Sequence, residues 1–79
     1  MIYKGFTIYA DVNVNEQWDI DETDNGEATL SAYRDSGGPD DDNIVDFLIE
    51  DEDGYLPSWA NEYYDTLQAA KDAIDNRNA

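Results

Sequence analysis

The stretch Trp18-Asp-Ile-Asp-Glu-Thr-Asp-Asn-Gly-Glu-Ala-Thr-Leu30 decides the fold, because its turn admits two registers that bury opposite sets of side chains. A two-residue turn at Asn25-Gly26 pairs Asp24 with Glu27 and Ile20 with Ser31, which leaves Leu30 opposite Asp21. A three-residue loop of Asp24, Asn25 and Gly26, with Gly26 in the left-handed position of a G1 bulge, instead pairs Ile20 with Leu30 and Trp18 with Ala32. A slip of one residue exchanges every side chain between the two faces of a sheet, so the register that gathers the apolar residues is the expected one. It places Asp19, Asp21 and Thr23 on the opposite surface with Thr29, Ser31 and Tyr33. Carboxylates at i and i+2 on a strand stand ~6.6 to 6.8 Å apart, a spacing comparable to that of successive phosphates on a nucleic-acid strand.

Upstream of this hairpin the apolar residues Ile2, Phe6, Ile8, Ala10, Val12, Val14, Trp18 and Ile20 fall on even positions, the alternation of strands with one covered face. Lys4 and Glu16 interrupt the parity and Asn13 to Asn15 offer turn chemistry. The pattern predicts a strand near 2–11 paired with another near 17–23, with Tyr3 and Tyr9 on the uncovered face. Downstream, residues 35–43 read as a loop rich in Gly, Pro and Asp. Residues 44–49 fit either a short helix capped by Asp42 or a strand with Val45, Phe47 and Ile49 inward and Gly54 closing it. The strand is the better reading, because a helix there runs into Glu50-Asp-Glu-Asp53 at its negative end.

After Pro57 the spacing Trp59, Tyr63, Leu67, Ala70, Ile74 is helical. Two starts are open: a cap at Ser58, or a later one at Asp65 or Thr66, with Asp65 and Gln68 forming a capping box. Lys71 and Asp75 are expected to pair at i,i+4, and Arg77 suits the negative end of the helix. These elements predict an α+β fold: a small antiparallel β-sheet of three to four strands packed against one C-terminal α-helix.

Seventy-nine residues make a single domain, 1–79, close to the size at which a core must be well packed to hold alone. With no cysteine and no histidine, neither a disulfide nor a thiolate or imidazole metal site can help. The missing cysteine fits a reducing cytoplasm, and no apolar run reaches the ~20 residues of a membrane span. Twenty Asp and Glu stand against four Lys and Arg, a formal net charge of -16. Two Trp, six Tyr and two Phe separate this chain from disordered acidic tails. Like charge on this scale works against the folded state by self-repulsion, so the acids point to a role beyond solubility.

Catalysis finds little to work with, since nucleophilic triads need a base that is usually His. The expectation is no enzyme and no cofactor. Asp19-x-Asp21-x-Thr23 opens like a calcium loop, but Asp24 stands where Gly is needed and Leu30 where Glu is needed. Asp51-x-Asp53-Gly54 fails at Ala60, so no specific metal site is expected. A field of this sign repels nucleic acid and attracts proteins whose surfaces are basic because they bind it. The candidate partner-binding residues are Asp19 and Asp21, the run Asp40, Asp41 and Asp42, the run Glu50, Asp51, Glu52 and Asp53, and Tyr55 as an aromatic anchor. Trp59 reads as core, while the helix acids Asp72 and Asp75 read as solvated.

In length, in the clusters Asp40-Asp-Asp42 and Glu50-Asp-Glu-Asp53, and in the acid-lined hairpin at Asp19 and Asp21, the chain resembles small acidic phage proteins that mimic DNA, among them anti-restriction and some anti-CRISPR proteins. Tyr3-Lys-Gly-Phe-Thr-Ile8 and Thr66-Leu-Gln-Ala-Ala-Lys-Asp-Ala-Ile-Asp75 are similar to small phage-encoded domains in which strands precede a closing helix. The resemblance implies a stoichiometric inhibitor in the host cytoplasm whose partner is a basic nucleic-acid-binding complex, a CRISPR effector first and a restriction enzyme second. Two other readings stand beside it: an acidic structural or regulatory interaction module, and an ordinary protein of a salt-loving organism.

Overall fold

The computed structural model describes residues 1–12, 16–30 and 44–77. In chain order these form β1 (Ile2–Tyr3), β2 (Phe6–Val12), β3 (Glu16–Glu22), β4 (Ala28–Leu30), β5 (Ile44–Glu50) and α1 (Leu67–Asp75). All strand pairs are antiparallel. β2 is the centre: Thr7 pairs with both Ile2 and Glu50, and Tyr9 with both Asp19 and Leu48, so β1 and β3 share one edge of β2 and β5 takes the other. β4 extends the sheet beyond β3. The fold is thus α+β, an antiparallel sheet with one C-terminal helix.

The decisive hairpin adopts the three-residue loop. Ile20 faces Leu30, Asp21 faces Thr29 and Glu22 faces Ala28. The Thr23 N–H donates to the Glu27 carbonyl at 2.8 Å, and Gly26 sits at φ 81°, where a side chain would be strained. The expected partner of Trp18, Ala32, lies outside the described residues, as do Asn13 to Asn15, Ser31, Tyr33 and the 35–43 loop.

The predicted first strand is broken. Lys4 and Gly5 both have positive φ, 49° and 87°, and form a two-residue turn between Tyr3 and Phe6 of the kind that matches strand twist. The turn resets the parity, so Ile2 is 77 % exposed. Tyr3 accordingly lies at the helix and not on the uncovered face: its hydroxyl donates to both Asp75 carboxylate oxygens at 3.0 and 3.1 Å.

Residues 44–49 are strand, as preferred, but Val45 is not inward. Asp11 pairs with Asp46 while Val12 pairs with Ile44, and the resulting bulge turns Val45 outward to 61 % exposure. Phe47 and Ile49 are buried as expected. Among the described residues the outer edge of β5 is met by one bridge, in which Phe47 and Tyr64 exchange both backbone hydrogen bonds, at 2.8 and 2.7 Å.

The core lies between one sheet face and α1, with Ile8, Ala10, Val12, Ile20, Leu30, Phe47 and Ile49 meeting Leu67, Ala70 and Ile74. The helix takes the later of its two starts. Thr66 is the N-cap, its Oγ1 accepting from the Ala69 N–H at 3.0 Å. That places Ala69 at the third helical position, so the Asp65–Gln68 capping box does not form, and the Gln68 amide donates to Asp72 at 2.9 Å. Trp59 precedes the helix but still reaches the core, edge-on to Phe6 with ring centroids 5.2 Å apart. Lys71 does not pair with Asp75; it reaches across to Glu22 of β3 at 2.6 Å, while Asp75 takes Lys4. The expected solvated role of Asp75 is therefore replaced by a tie between α1 and β1. Arg77 does serve the helix end, donating to the Ile74 carbonyl.

Thr66→Ala should cost about 1 kcal/mol of unfolding free energy, the usual worth of an N-cap hydroxyl, whereas Ser58→Ala should change stability by only a few tenths, roughly. Urea unfolding of the two variants checks this; equal losses would place the cap elsewhere.

Candidate functional site

With Phe6, Ile8, Ala10 and Val12 of β2, Trp18 and Ile20 of β3, and Phe47 and Ile49 of β5 turned to the core, the remaining alternation defines the other face of the sheet. No helix covers it. Its rungs follow from the register: Gln17, Asp11 and Asp46 in one row, Asp19, Tyr9 and Leu48 in the next, then Thr7 beside Glu50, with Asp21 opposite Thr29 toward β4. Five carboxylates, Asp11, Asp19, Asp21, Asp46 and Glu50, thus surround Tyr9 and Leu48. Gly54, Leu56 and Glu62 of the following segment border the Leu48 side, together with Gln17.

The described cations are elsewhere. Lys4 pairs with Asp75, and that hydrogen bond raises the Lys4 amine above its ordinary value and lowers the Asp75 carboxyl below its own. Lys71 is raised likewise by its bond to Glu22. Arg77 lies over the Phe6 ring at 5.3 Å. Each of these side chains belongs to α1, to its C-terminal end or to the turn tied to it. One positive group does approach the open face: the Met1 ammonium donates to the Ile8 carbonyl at 2.9 Å. Partial burial lowers its pKa, against the opposing pull of Asp19 and Asp21. Those residues line one open depression with Ile2, Thr7, Tyr9 and Ile20.

The strongest conflict on the face is Asp11 opposite Asp46. Directly opposed cross-strand residues have Cβ atoms about 4.5 to 5.5 Å apart, and like charges there are destabilising. Each carboxylate has an Oδ1 shielded from solvent with no hydrogen-bond donor. Burial, then Asp11, then Asp65 beside the Tyr64 bridge push the Asp46 carboxyl above the ordinary aspartate value. A proton on Asp46 removes the like-charge repulsion across the pair. Tyr9 is shifted upward as well, by burial first and then by Glu50 and Asp19, and its hydroxyl bonds to no described residue.

Of the residues singled out from sequence, Asp19, Asp21 and Glu50 meet on this face. Asp51, Glu52, Asp53 and Tyr55 form a separate turn at the end of β5. There the Asp51 Oδ1 accepts from the N–H groups of Asp53 and Tyr55 at 2.9 and 3.0 Å, and the Asp51 N–H donates to the Tyr55 carbonyl at 2.9 Å. Asp51 is thus engaged in holding its own turn, while Glu52 and Asp53 are exposed and Tyr55 is 72 % exposed. Asp40, Asp41 and Asp42 lie outside the described residues. Asp11 and Asp46 escaped the sequence reading, although strand parity carried the signal: Asp11 is odd between Ala10 and Val12, and Asp46 precedes inward Phe47. Among the described residues no three carboxylates converge as a metal site.

Because the Asp46 pKa is raised in the fold, the native chain binds that proton at higher pH than the unfolded chain. Its contribution to stability is fully present below the unfolded value, about 3.9, and is lost as pH rises through the folded value. Asp46→Asn should therefore stabilise the protein at neutral pH by between about 0.2 and 1 kcal/mol, with the gain fading in acid. Urea midpoints at neutral and acid pH, with Asp72→Asn as control, read this; a variant less stable at neutral pH would show that the pair is not repulsive.

Set against protein-family models, curated proteins and solved structures, the chain matches none, so the chemistry of its own residues carries the functional reading.

Proposed function

We propose that this protein is a binding module, not a catalyst, which presents the carboxylates of its open sheet face to the basic surface of a nucleic-acid-binding protein and so mimics nucleic acid. The observation that carries the reading is the segregation of charge. Asp11, Asp19, Asp21, Asp46 and Glu50 occupy a face with no described Lys or Arg, while Lys4, Lys71 and Arg77 are engaged on the helix side. A solubilising coat of acids needs no such sorting. Sorting concentrates the field on one side, which speeds and orients encounter with an oppositely charged partner.

The strand geometry supports mimicry in particular. Asp19 and Asp21 repeat at the i, i+2 interval along β3, and rows of carboxylate on neighbouring strands stand ~4.7 to 4.9 Å apart, so charges recur on a rigid pleated surface as phosphates do along a backbone. Glu52, Asp53 and exposed Tyr55 lie beyond Glu50 at the end of β5 and extend the acidic margin. The biological role in this proposal is stoichiometric inhibition of a host defence complex, a CRISPR effector first and a restriction enzyme second, by occupation of its DNA-binding groove.

Immobilised protein should retain host nucleic-acid-binding proteins that excess duplex DNA displaces; partners indifferent to DNA would sink the mimicry. Salt supplies a second check through opposite signs. Screening shortens the range of carboxylate repulsion from about 10 Å at 0.1 M to about 3 Å at 1 M, so NaCl should raise the Tm of the free protein. The same screening should weaken partner binding, by about tenfold or more over the same range of salt. Calorimetric melting and affinity measured in the same buffers test both, and binding that strengthens with salt would assign recognition to apolar contacts.

A further inference from the structure

We infer that the centre of the open face, where Tyr9 lies between Asp19 and Leu48 with Glu50 one step along β5, is a seat for an arginine side chain of a partner protein. The inference rests on the proposed binding of a basic partner and specifies which basic group the face selects. A face bearing only acids draws lysine and arginine alike. This one has an aromatic ring and an aliphatic side chain at the middle of the carboxylates, half-buried although no described helix lies over them.

Three features select a guanidinium. It is more weakly hydrated than an ammonium and packs against aromatic rings, so it loses less on entering the Tyr9–Leu48 centre. Its planar set of N–H donors can engage carboxylates lying to different sides at once, as Asp19 and Glu50 lie with respect to Tyr9. The Tyr9 hydroxyl makes no hydrogen bond to a described residue and can accept from the same group. Both flanking carboxylates already act on that hydroxyl, for Glu50 and Asp19 add to the upward shift that burial imposes. A second copy of the chain is a poor occupant, since it carries the same net charge of -16.

The test titrates the whole chain, 15N-labelled, with blocked oligo-arginine, oligo-lysine and oligo-citrulline peptides of one length at low salt. Oligo-arginine should bind about two- to fivefold more tightly than oligo-lysine, the worth of an exposed cation–π contact, and citrulline, which lacks the charge, should not bind. Amide shifts should centre on Tyr9, Asp19, Leu48 and Glu50. Tyr9→Leu should bring the ratio of oligo-arginine to oligo-lysine affinity to about one, and Tyr9→Phe should retain most of the preference. Equal affinity for arginine and lysine, or shifts centred on the 51–55 turn or on α1, would overturn the arginine seat and leave the acidic-face reading standing. Failure of both charged peptides to bind would overturn the two together. Should Tyr9→Leu fail to fold, the shift map on the unaltered chain and the arginine-to-lysine ratio decide alone.

Discussion

The packing of Leu67, Ala70 and Ile74 against Ile8, Ile20 and Ile49 is the contact on which the rest of the molecule depends. A nine-residue helix is too short to be stable in water by itself, and a sheet with one apolar face cannot leave that face exposed. Each element is folded by the other. Since only one helix is present among the described elements, it covers one face and leaves the other to be defined by whatever alternates with the core positions. The carboxylates occupy those alternating positions, so their common orientation follows from the same periodicity that builds the core.

Charge balance completes the division. A cation brought near a helix C-terminus is favoured by the exposed carbonyls there, and Arg77 uses this at Ile74. Lys71 and Lys4 then cross-link α1 to β3 and to the β1–β2 turn. These pairs are exposed or partly so and each adds little to stability. Their larger effect is on the field: the described Lys and Arg are drawn to the side where the helix already needs them, and among the described residues the sheet face is left uncompensated except for the ammonium near Asp19 and Asp21. Crowding of acids across β2 and β5, most acute between Asp11 and Asp46, is the local cost of that arrangement.

Much of this was legible in the residues. Gly26 settles the β3–β4 register because only one loop length both uses its left-handed conformation and sets Ile20 against Leu30. The core positions Ile8, Ala10, Val12 and Ile20 follow directly from their parity. What was not legible depended on single residues behaving against a pattern. Lys4 adopts a left-handed conformation that its side chain does not favour, and so splits a strand whose apolar alternation looked continuous through Ile2. The bulge at Val45 has no marker, since valine is as good a strand residue outward as inward. Trp59 and Tyr63 match the helical spacing, yet the intervening Asn61 and the following Tyr64 and Asp65 are weak helix formers, and Tyr64 pairs with Phe47 instead. The site was half visible: attention to runs of acid found Asp19, Asp21 and Glu50, while Asp11 and Asp46, isolated in sequence, become neighbours only through strand pairing.

The Val45 bulge and the Tyr64 bridge also bear on how the molecule behaves in a crowded solution. An exposed strand edge is a template for another strand, and pairing of such edges is a common route to aggregates and fibrils. On β5 the ladder is dislocated at Val45, and at Phe47 both backbone groups are already taken by Tyr64. An incoming strand finds no uninterrupted row of donors and acceptors along this edge, and Asp46 stands between the two obstacles. The sheet is thereby kept from being extended along its β5 side.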